Sequence, residues 1–363
     1  MRALLSDHGH WPTVALSHAI GAAGGVAAQA AHLPLPWLIG PLVAVAATAI
    51  AGLRPLGHHV QAPQRLRMLF VPIIGVSIGT SFRPEILEEI DTWWPSLVAL
   101  CLYIPALHWA GYRLIRALGS TDRVTAFYGT APGGLIEAVE MGIAHGADAR
   151  MLTLLQFLRL ILTIILVPLA FTVMSGHAVG SASGVALPGA WAPLGPADVA
   201  ILSACGVAGA LAGLRLRLPA GHVTGPLLLS GLAHLAGWTD AAVPGWLVVV
   251  TQLVIGTSLG VRFAGMQRVL LFRALHLSAL HAALTLTAAA AVAFALAPRV
   301  GEPAAATFLA FAPGGLAEMG LIALSLDMSV IYVTAHHVLR ILLAVSVARV
   351  FSRRILPGPG AAP

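Results

Sequence analysis

Ala131-Pro132-Gly133-Gly134-Leu135-Ile136-Glu137 returns 181 residues later as Ala312-Pro313-Gly314-Gly315-Leu316-Ala317-Glu318. The same offset aligns Leu158-Arg159 with Leu339-Arg340, so the interval of 22 residues from glutamate to arginine is kept in both copies. It also sets Gly75, Ser77 and Gly79 against Gly256, Ser258 and Gly260. Nearer the N-terminus the offset becomes 185. Pro34 then meets Pro219, Gly40-Pro41 meets Gly225-Pro226, and Gly21 and Gly24 meet Gly206 and Gly209. One insertion or deletion between the second and third apolar segments explains the change. Self-similarity at a fixed offset along most of a chain marks a duplication. The expected organisation is a first repeat over 1–174, a joint over 175–197 and a second repeat over 198–363.

Of the 363 residues, 58% are hydrophobic and 9% charged, against about 25% charged in an average soluble protein. Mean hydropathy is +0.89. So little charge cannot cover the surface of a water-soluble globule, which excludes a soluble enzyme or a DNA-binding domain. At roughly 20 residues per spanning helix, the length holds on the order of ten to twelve membrane segments. The 24 Pro and 38 Gly suit kinked, closely packed membrane helices. All 20 basic residues are Arg. Ala28-Gln29-Ala30 resembles a signal-peptidase site, but the Gly-rich stretch before it recurs later, so a retained first helix is expected.

Each half divides into six apolar segments: 13–32, 35–52, 68–82, 93–112, 124–144 and 151–174, then 198–214, 219–238, 244–261, 274–297, 304–324 and 330–348. If all twelve span, loop and tail arginines divide 11 inside to 7 outside. If the two Pro-Gly-Gly segments instead enter and leave on one side, only Arg83 and Arg299 remain outside. Arg2, Arg54, Arg65, Arg67, Arg113, Arg116, Arg123, Arg150, Arg215, Arg217, Arg262, Arg268, Arg273, Arg349, Arg353 and Arg354 then lie inside. The second arrangement obeys the positive-inside rule far better. The expected fold is therefore an all-α polytopic membrane protein with about ten spanning helices. Two broken or re-entrant Pro-Gly-Gly segments complete it. An odd number of crossings per half makes the repeats inverted, as in secondary transporters with midplane sites on discontinuous helices.

The charges inside apolar segments are few: Glu137, Glu140, Glu318, Arg159 and Arg340. A charge at mid-membrane costs roughly 2.5–3.5 kcal/mol, so it is kept for a reason. In one reading Glu137 and Glu318 neutralise Arg159 and Arg340 and lock the halves together. In the other, these groups bind a substrate or a coupling ion. Pro132, Gly133 and Gly134, with Pro313, Gly314 and Gly315, break their helices. A half-helix starting there aims free N–H groups and a positive dipole end inward, which makes an anion site. Glu137 and Glu318 fall in its first turn and could instead cap it themselves.

Secondary candidates are Glu140, unmatched in the second half where Leu321 stands, the hydroxyls of Ser77 and Ser258, and His337 beside Arg340. Gly75/Gly79 and Gly256/Gly260 read as helix-packing pairs, with a polar pathway as the alternative. The 15 His form no HExxH and no transition-metal cluster. His58-His59 and His336-His337 are adjacent pairs, whose side chains diverge on a helix. Cys101 and Cys205 lack metal or disulfide spacing. Without Lys there is no phosphate-binding loop. No metal or other cofactor and no catalytic residue is expected.

The duplicated APGGL-x-E followed by LxR, the LP…GP segment and the GxSxG/GTSLG segment resemble the AbrB-type multi-pass membrane family. That family is built from two AbrB-duplication units, and its members often carry the label ammonia monooxygenase. The resemblance covers both halves. It implies a bacterial inner-membrane protein, with names that speak of ammonia oxidation or regulation of gene expression. It supplies no site residues. A soluble DNA-binding transition-state regulator shares the name but not the sequence.

The favoured expectation is a secondary transporter of a small anionic solute, coupled to a proton or sodium, and not an enzyme. The alternatives are a membrane-embedded regulator of expression and an ammonia-monooxygenase-like oxidoreductase, for which the scattered histidines offer no ligand cluster. Expected partners are the lipid bilayer and the solute, with no nucleic acid; a homo-oligomer is compatible with the sequence. Both termini are expected to be cytoplasmic.

Overall fold

A computed structural model describes residues 10–82, 90–118, 121–175, 194–326 and 328–355. Most of the expected joint, 176–193, lies outside the described residues, as do Arg2 and Arg83. Fourteen α-helices occur among the described residues, and no strand. They are α1 Trp11–Ala30, α2 Pro36–Ile50, α3 Gln64–Gly79, α4 Trp94–Ala117, α5 Arg123–Gly129, α6 Leu135–Ala144 and α7 Ala149–Ser175. After the joint come α8 Pro196–Arg215, α9 Gly221–Leu235, α10 Gly245–Val261, α11 Arg268–Val300, α12 Ala304–Phe311, α13 Leu316–Ser325 and α14 Val330–Ile355. Proline opens α1, α2, α4 and α8, where its missing N–H costs nothing. Asp122 caps α5 by accepting from the Thr125 N–H at 2.8 Å. Asp148 does the same for α7, accepting from the Met151 N–H at 3.2 Å.

Five of these helices are long and apolar enough to cross a membrane: Trp94–Ala117, Ala149–Val173, Pro196–Arg215, Arg268–Val300 and Val330–Phe351. Shorter apolar helices, Pro36–Ile50 and Gly245–Val261, accompany them. Leu102, Val173, Val207, Leu211, Val269 and Phe294 are exposed along the long helices. Exposed Trp11, Trp94, Trp238 and Trp246 sit at or next to helix ends, the depth at which indole rings meet a membrane surface.

The chain forms two compact units, each with helices from both halves. The first holds Met1–Pro84, Ile165–Gln267 and Gly320–Val330; the second holds Glu85–Ile164, Arg268–Met319 and Ile331–Pro363. In the first unit α1 packs on α2 and α8 on α9, while α2 lies on α10 and α3 on α9. Glycine makes these contacts close. A Cβ at Gly24 would strike the Gly40 carbonyl, and one at Gly209 would strike Gly225 and Pro226. Gly75 lies against the Val223 carbonyl and Pro226, as Gly256 lies against the Leu38 carbonyl and Pro41. These contacts correspond residue for residue at offsets of 181 and 185. Left-handed backbone follows the same pairing: His32 (φ 51°) with Arg217 (φ 53°), and Leu35 (φ 43°) with Ala220 (φ 49°).

In the second unit α4 packs against α11 and α5, α11 against α12, and α5 against α6. The Tyr103 hydroxyl donates to the Thr285 carbonyl at 3.3 Å, and its ring stands edge-on to Phe311, 5.2 Å between centroids. Ser278 donates to the Leu155 carbonyl at 3.4 Å. Both Pro-Gly-Gly segments and both arginines belong to this unit.

Candidate functional site

Each Pro-Gly-Gly segment is a broken helix. α5 ends at Gly129, and α6 begins at Leu135 after Pro132, Gly133 and Gly134. Pro132 cannot continue the hydrogen-bond ladder, and Gly134 caps α6 in the left-handed region at φ 63°, which glycine tolerates without strain. α12 ends at Phe311, Ala312 turns extended (ψ 138°), and α13 begins at Leu316. Each break thus sets the open carbonyls of one helix end next to the open N–H groups of another, with opposite partial charges. The first break packs on α14: a Cβ at Gly133 would lie 3.3 Å from the Ala344 Cβ and 3.5 Å from the Arg340 carbonyl.

The arginines fill the carbonyl side. Arg159 donates through Nη1 to the Ala131 carbonyl and through Nη2 to Gln156 Oε1 at 2.8 Å. Gln156 donates through Nε2 to the Tyr128 carbonyl at 2.5 Å and to Ala131 at 3.3 Å. Arg340 donates through Nη1 to the Ala312 carbonyl at 2.5 Å and through Nη2 to Gly314. Its Nη2 also faces His337 Nδ1 at 3.2 Å, while His337 Nε2 donates to the Leu309 carbonyl at 2.9 Å. Gln156 and His337 hold the same place, three residues before the arginine, and bridge the same two partners. Arg159 is 6% exposed and Arg340 2%. Arg340 Nε is buried without a hydrogen-bond acceptor.

Both guanidiniums meet carbonyl and side-chain acceptors of the breaks. In these contacts each arginine answers the carbonyl side of a break, the negative end of a helix dipole. The glutamates stay at the N-terminal side. Glu137 is the third residue of α6, its Oε2 3.2 Å from where a Gly134 Cβ would stand. Glu318 is the third residue of α13, and its carboxylate occupies the space a Gly315 Cβ would need. Glu318 is buried, Glu137 half-buried and Glu140 exposed.

Ser77 and Ser258 belong to the first unit, apart from the residues of the breaks in sequence and in unit. Ser77 Oγ is buried without a partner, and Ser258 donates to its own helix at the Val254 carbonyl, 2.8 Å. His336 and His337 diverge: His336 meets the Tyr332 carbonyl at 2.8 Å and Ser96 Oγ at 2.9 Å.

Two histidines that the sequence left unassigned join the first break. His108 donates through Nε2 to the Phe127 carbonyl at 2.8 Å, with Nδ1 buried and unpartnered. His281 is 3% exposed; its Nε2 is unpartnered and lies against Gly111, next to Thr130. At the 181 offset their counterparts are Ala289 and Leu100, so the repeat could not signal them. Gln156 could have been found from its shared spacing with His337. No group of three or more His, Cys, Asp or Glu suited to a metal occurs among the described residues.

The profile of a family described as "Transition state regulatory protein AbrB" matches residues 44–356. A Bacillus subtilis (strain 168) protein named "Uncharacterized protein YhjN" is 28% identical over 360 residues, covering 92% of this chain and 91% of its own. An Escherichia coli (strain K12) protein named "Putative regulator AbrB" is 26% identical over 319 residues, covering 86% and 87%.

Proposed function

Because the chain belongs to the AbrB family, whose matched region includes both helix breaks, we propose that it is a secondary transporter of a small anionic solute. The supporting observation is the doubled arginine-filled break. Two helix breaks, each with a buried arginine on its carbonyl side and a helix N-terminus opposite, lie in one compact unit. Transporters place substrate sites at such breaks. The solute binds at the N-terminal ends of α6 and α13, with Arg159 and Arg340 supplying positive field. Glu137 and Glu318 compete for those ends and give way when the solute enters.

A proton suits this site better than sodium as the coupled ion. Sodium needs unwound carbonyl oxygens, and the guanidiniums already engage Ala131, Ala312 and Gly314. His108, bonded to the Phe127 carbonyl, and His281, against Gly111 near Thr130, are imidazoles at the first break, the group that most readily takes a proton near neutral pH. In this reading about ten segments span, the repeats are inverted, both termini are cytoplasmic and the membrane is the bacterial inner membrane. The contacts that recur at offsets of 181 and 185 support the duplication. The protein carries solute and does no chemistry on it, as monomer or homo-oligomer.

The test is thermal stabilisation of the purified protein by acetate, succinate, ammonium and methylamine at acid and neutral pH. Stabilisation by the carboxylates, lost in Arg159→Gln and in Arg340→Gln, is the expected result. Stabilisation by the amines alone reverses the charge logic, and carboxylate binding retained in both variants defeats the site assignment. A membrane-embedded regulator is the second reading, carried by the family description and the name of the Escherichia coli relative. Capture of one defined cytoplasmic protein by the purified chain, with no carboxylate response, would favour it.

A further inference from the structure

Side chains from two neighbouring helices close the C-terminal end of α5. His108 of α4 donates to the Phe127 carbonyl at 2.8 Å, Gln156 of α7 to Tyr128 at 2.5 Å, and Arg159 of α7 to Ala131. Thr130 donates to the same Phe127 carbonyl at 3.2 Å. His108 is 2% exposed and His281, from α11, 3%. His108 Nδ1 and His281 Nε2 are both buried without a partner. Gly111 ties them to one spot, since it lies three residues after His108 on the same face of α4. A Cβ there would stand 2.6 Å from His281 Nε2 and 3.2 Å from the Thr130 Cβ. Glycine thus lets the His281 imidazole reach α4 beside the residue that shares the Phe127 carbonyl with His108.

The fold itself does not require this pair. At the offset of 181, Ala289 stands for His108 and Leu100 for His281, and both are buried. The equivalent helices are therefore packed with apolar side chains. A buried polar atom without a partner is destabilising, and two of them around one glycine call for a ligand. His108 gives its Nε2 proton to Phe127, so the neutral ring keeps a lone pair at Nδ1 that needs a donor. A carboxylate only accepts and an ammonium only donates. A hydroxyl donates to His108 Nδ1 and still accepts from a His281 Nε2–H.

We propose that His108 and His281 bind the hydroxyl of a hydroxycarboxylate whose carboxylate lies in the field of Arg159. The carbonyls of Phe127 and Ala131, held by His108 and Arg159, are four residues apart, about 6 Å along a helix. One small molecule spans that interval. The proposal rests on the anion reading above and narrows its substrate to acids that carry a hydroxyl. It also makes the two breaks unequal, because the second has no imidazole at either equivalent position.

Thermal stabilisation of the purified full chain by glycolate against acetate, and by malate against succinate, isolates the hydroxyl, because each pair differs by one oxygen. Wild type should bind the hydroxy acids about three- to tenfold more tightly. His281→Leu, which copies the residue of the other half, should erase that preference. Gly111→Ala keeps the imidazole but pushes it off α4, and should weaken the preference as well. Cooperative melting of each variant without ligand shows that it folds. His281→Gln retains a donor and an acceptor and should hold part of the preference. Equal stabilisation of wild type by acid and hydroxy acid overturns this proposal and leaves the anion reading standing. A preference that survives in both His281→Leu and Gly111→Ala overturns it too. Silence of wild type to all four acids overturns both readings.

Discussion

A glutamine amide and a neutral imidazole share the property that matters at the helix breaks: each offers a donor and an acceptor on opposite edges. Gln156 and His337 use it identically, donating to the Tyr128 or Leu309 carbonyl and accepting from the arginine that follows. Exchange should therefore be mild. Gln156→His and His337→Gln are expected to cost about 1 kcal/mol or less in unfolding free energy. Gln156→Leu strands a buried carbonyl and a guanidinium N–H, at roughly 1–3 kcal/mol. Equilibrium unfolding in mixed micelles checks the order, and equal loss for Gln156→His and Gln156→Leu would show that the bridge is not what holds the break. Arg159 and Arg340 were readable as functional charges because apolar segments so seldom hold one. Their partners were not, since a backbone carbonyl leaves no mark on the sequence.

At the scale of helices, the breaks were legible because proline removes a donor and glycine permits the left-handed turn at Gly134. The way each break is stabilised was less so. Sequence spacing sets Glu137 and Glu318 near the arginines, but side chains at the start of a helix point back along it, toward the capping glycine. The glutamates therefore face their own N-terminus. Glycine packing in the first unit separates positions that look alike in sequence. A Cβ at Gly206 would make an ordinary contact, 3.6 Å from Val76 Cγ2, whereas one at Gly209 would lie 2.6 Å from Pro226 backbone. Gly206→Ala should be neutral or stabilising by up to about 1 kcal/mol through helix propensity. Gly209→Ala should destabilise by about 1–3 kcal/mol as α8 and α9 are forced apart. Melting temperatures moving in opposite directions would bear this out; parallel losses would mean that α8 does not pack through this face.

The division into two units was not legible, because duplication is linear in sequence while packing interleaves its halves. α1, α2 and α3 join α8, α9 and α10 in one unit, and the two breaks, with Arg159 and Arg340, join in the other. A helix whose apolar face meets its repeat-mate reads the same as one whose face meets its neighbour. Charge placement, in contrast, is legible at this scale because it depends on sequence alone. Arg116, Arg123 and Arg150 flank the first broken helix on both sides, and α6 and α5 are too short, at 10 and 7 residues, to cross singly at 1.5 Å per residue. A broken helix that enters and leaves on one face keeps all three arginines on the cytoplasmic side. One that spans sends Arg150 and the chain after it across, and reverses the sign of every later loop. Single cysteines at Arg116, Gly146 and Gly301, in a chain with Cys101 and Cys205 replaced by Ser, distinguish these paths in intact spheroplasts. The re-entrant path predicts that a membrane-impermeant maleimide labels only Gly301→Cys, since Arg299 is the one described arginine assigned outside. Labelling of Gly146→Cys from outside, with Arg116→Cys protected, would establish a spanning segment. The second half would then share the orientation of the first, and inverted repeats would be excluded.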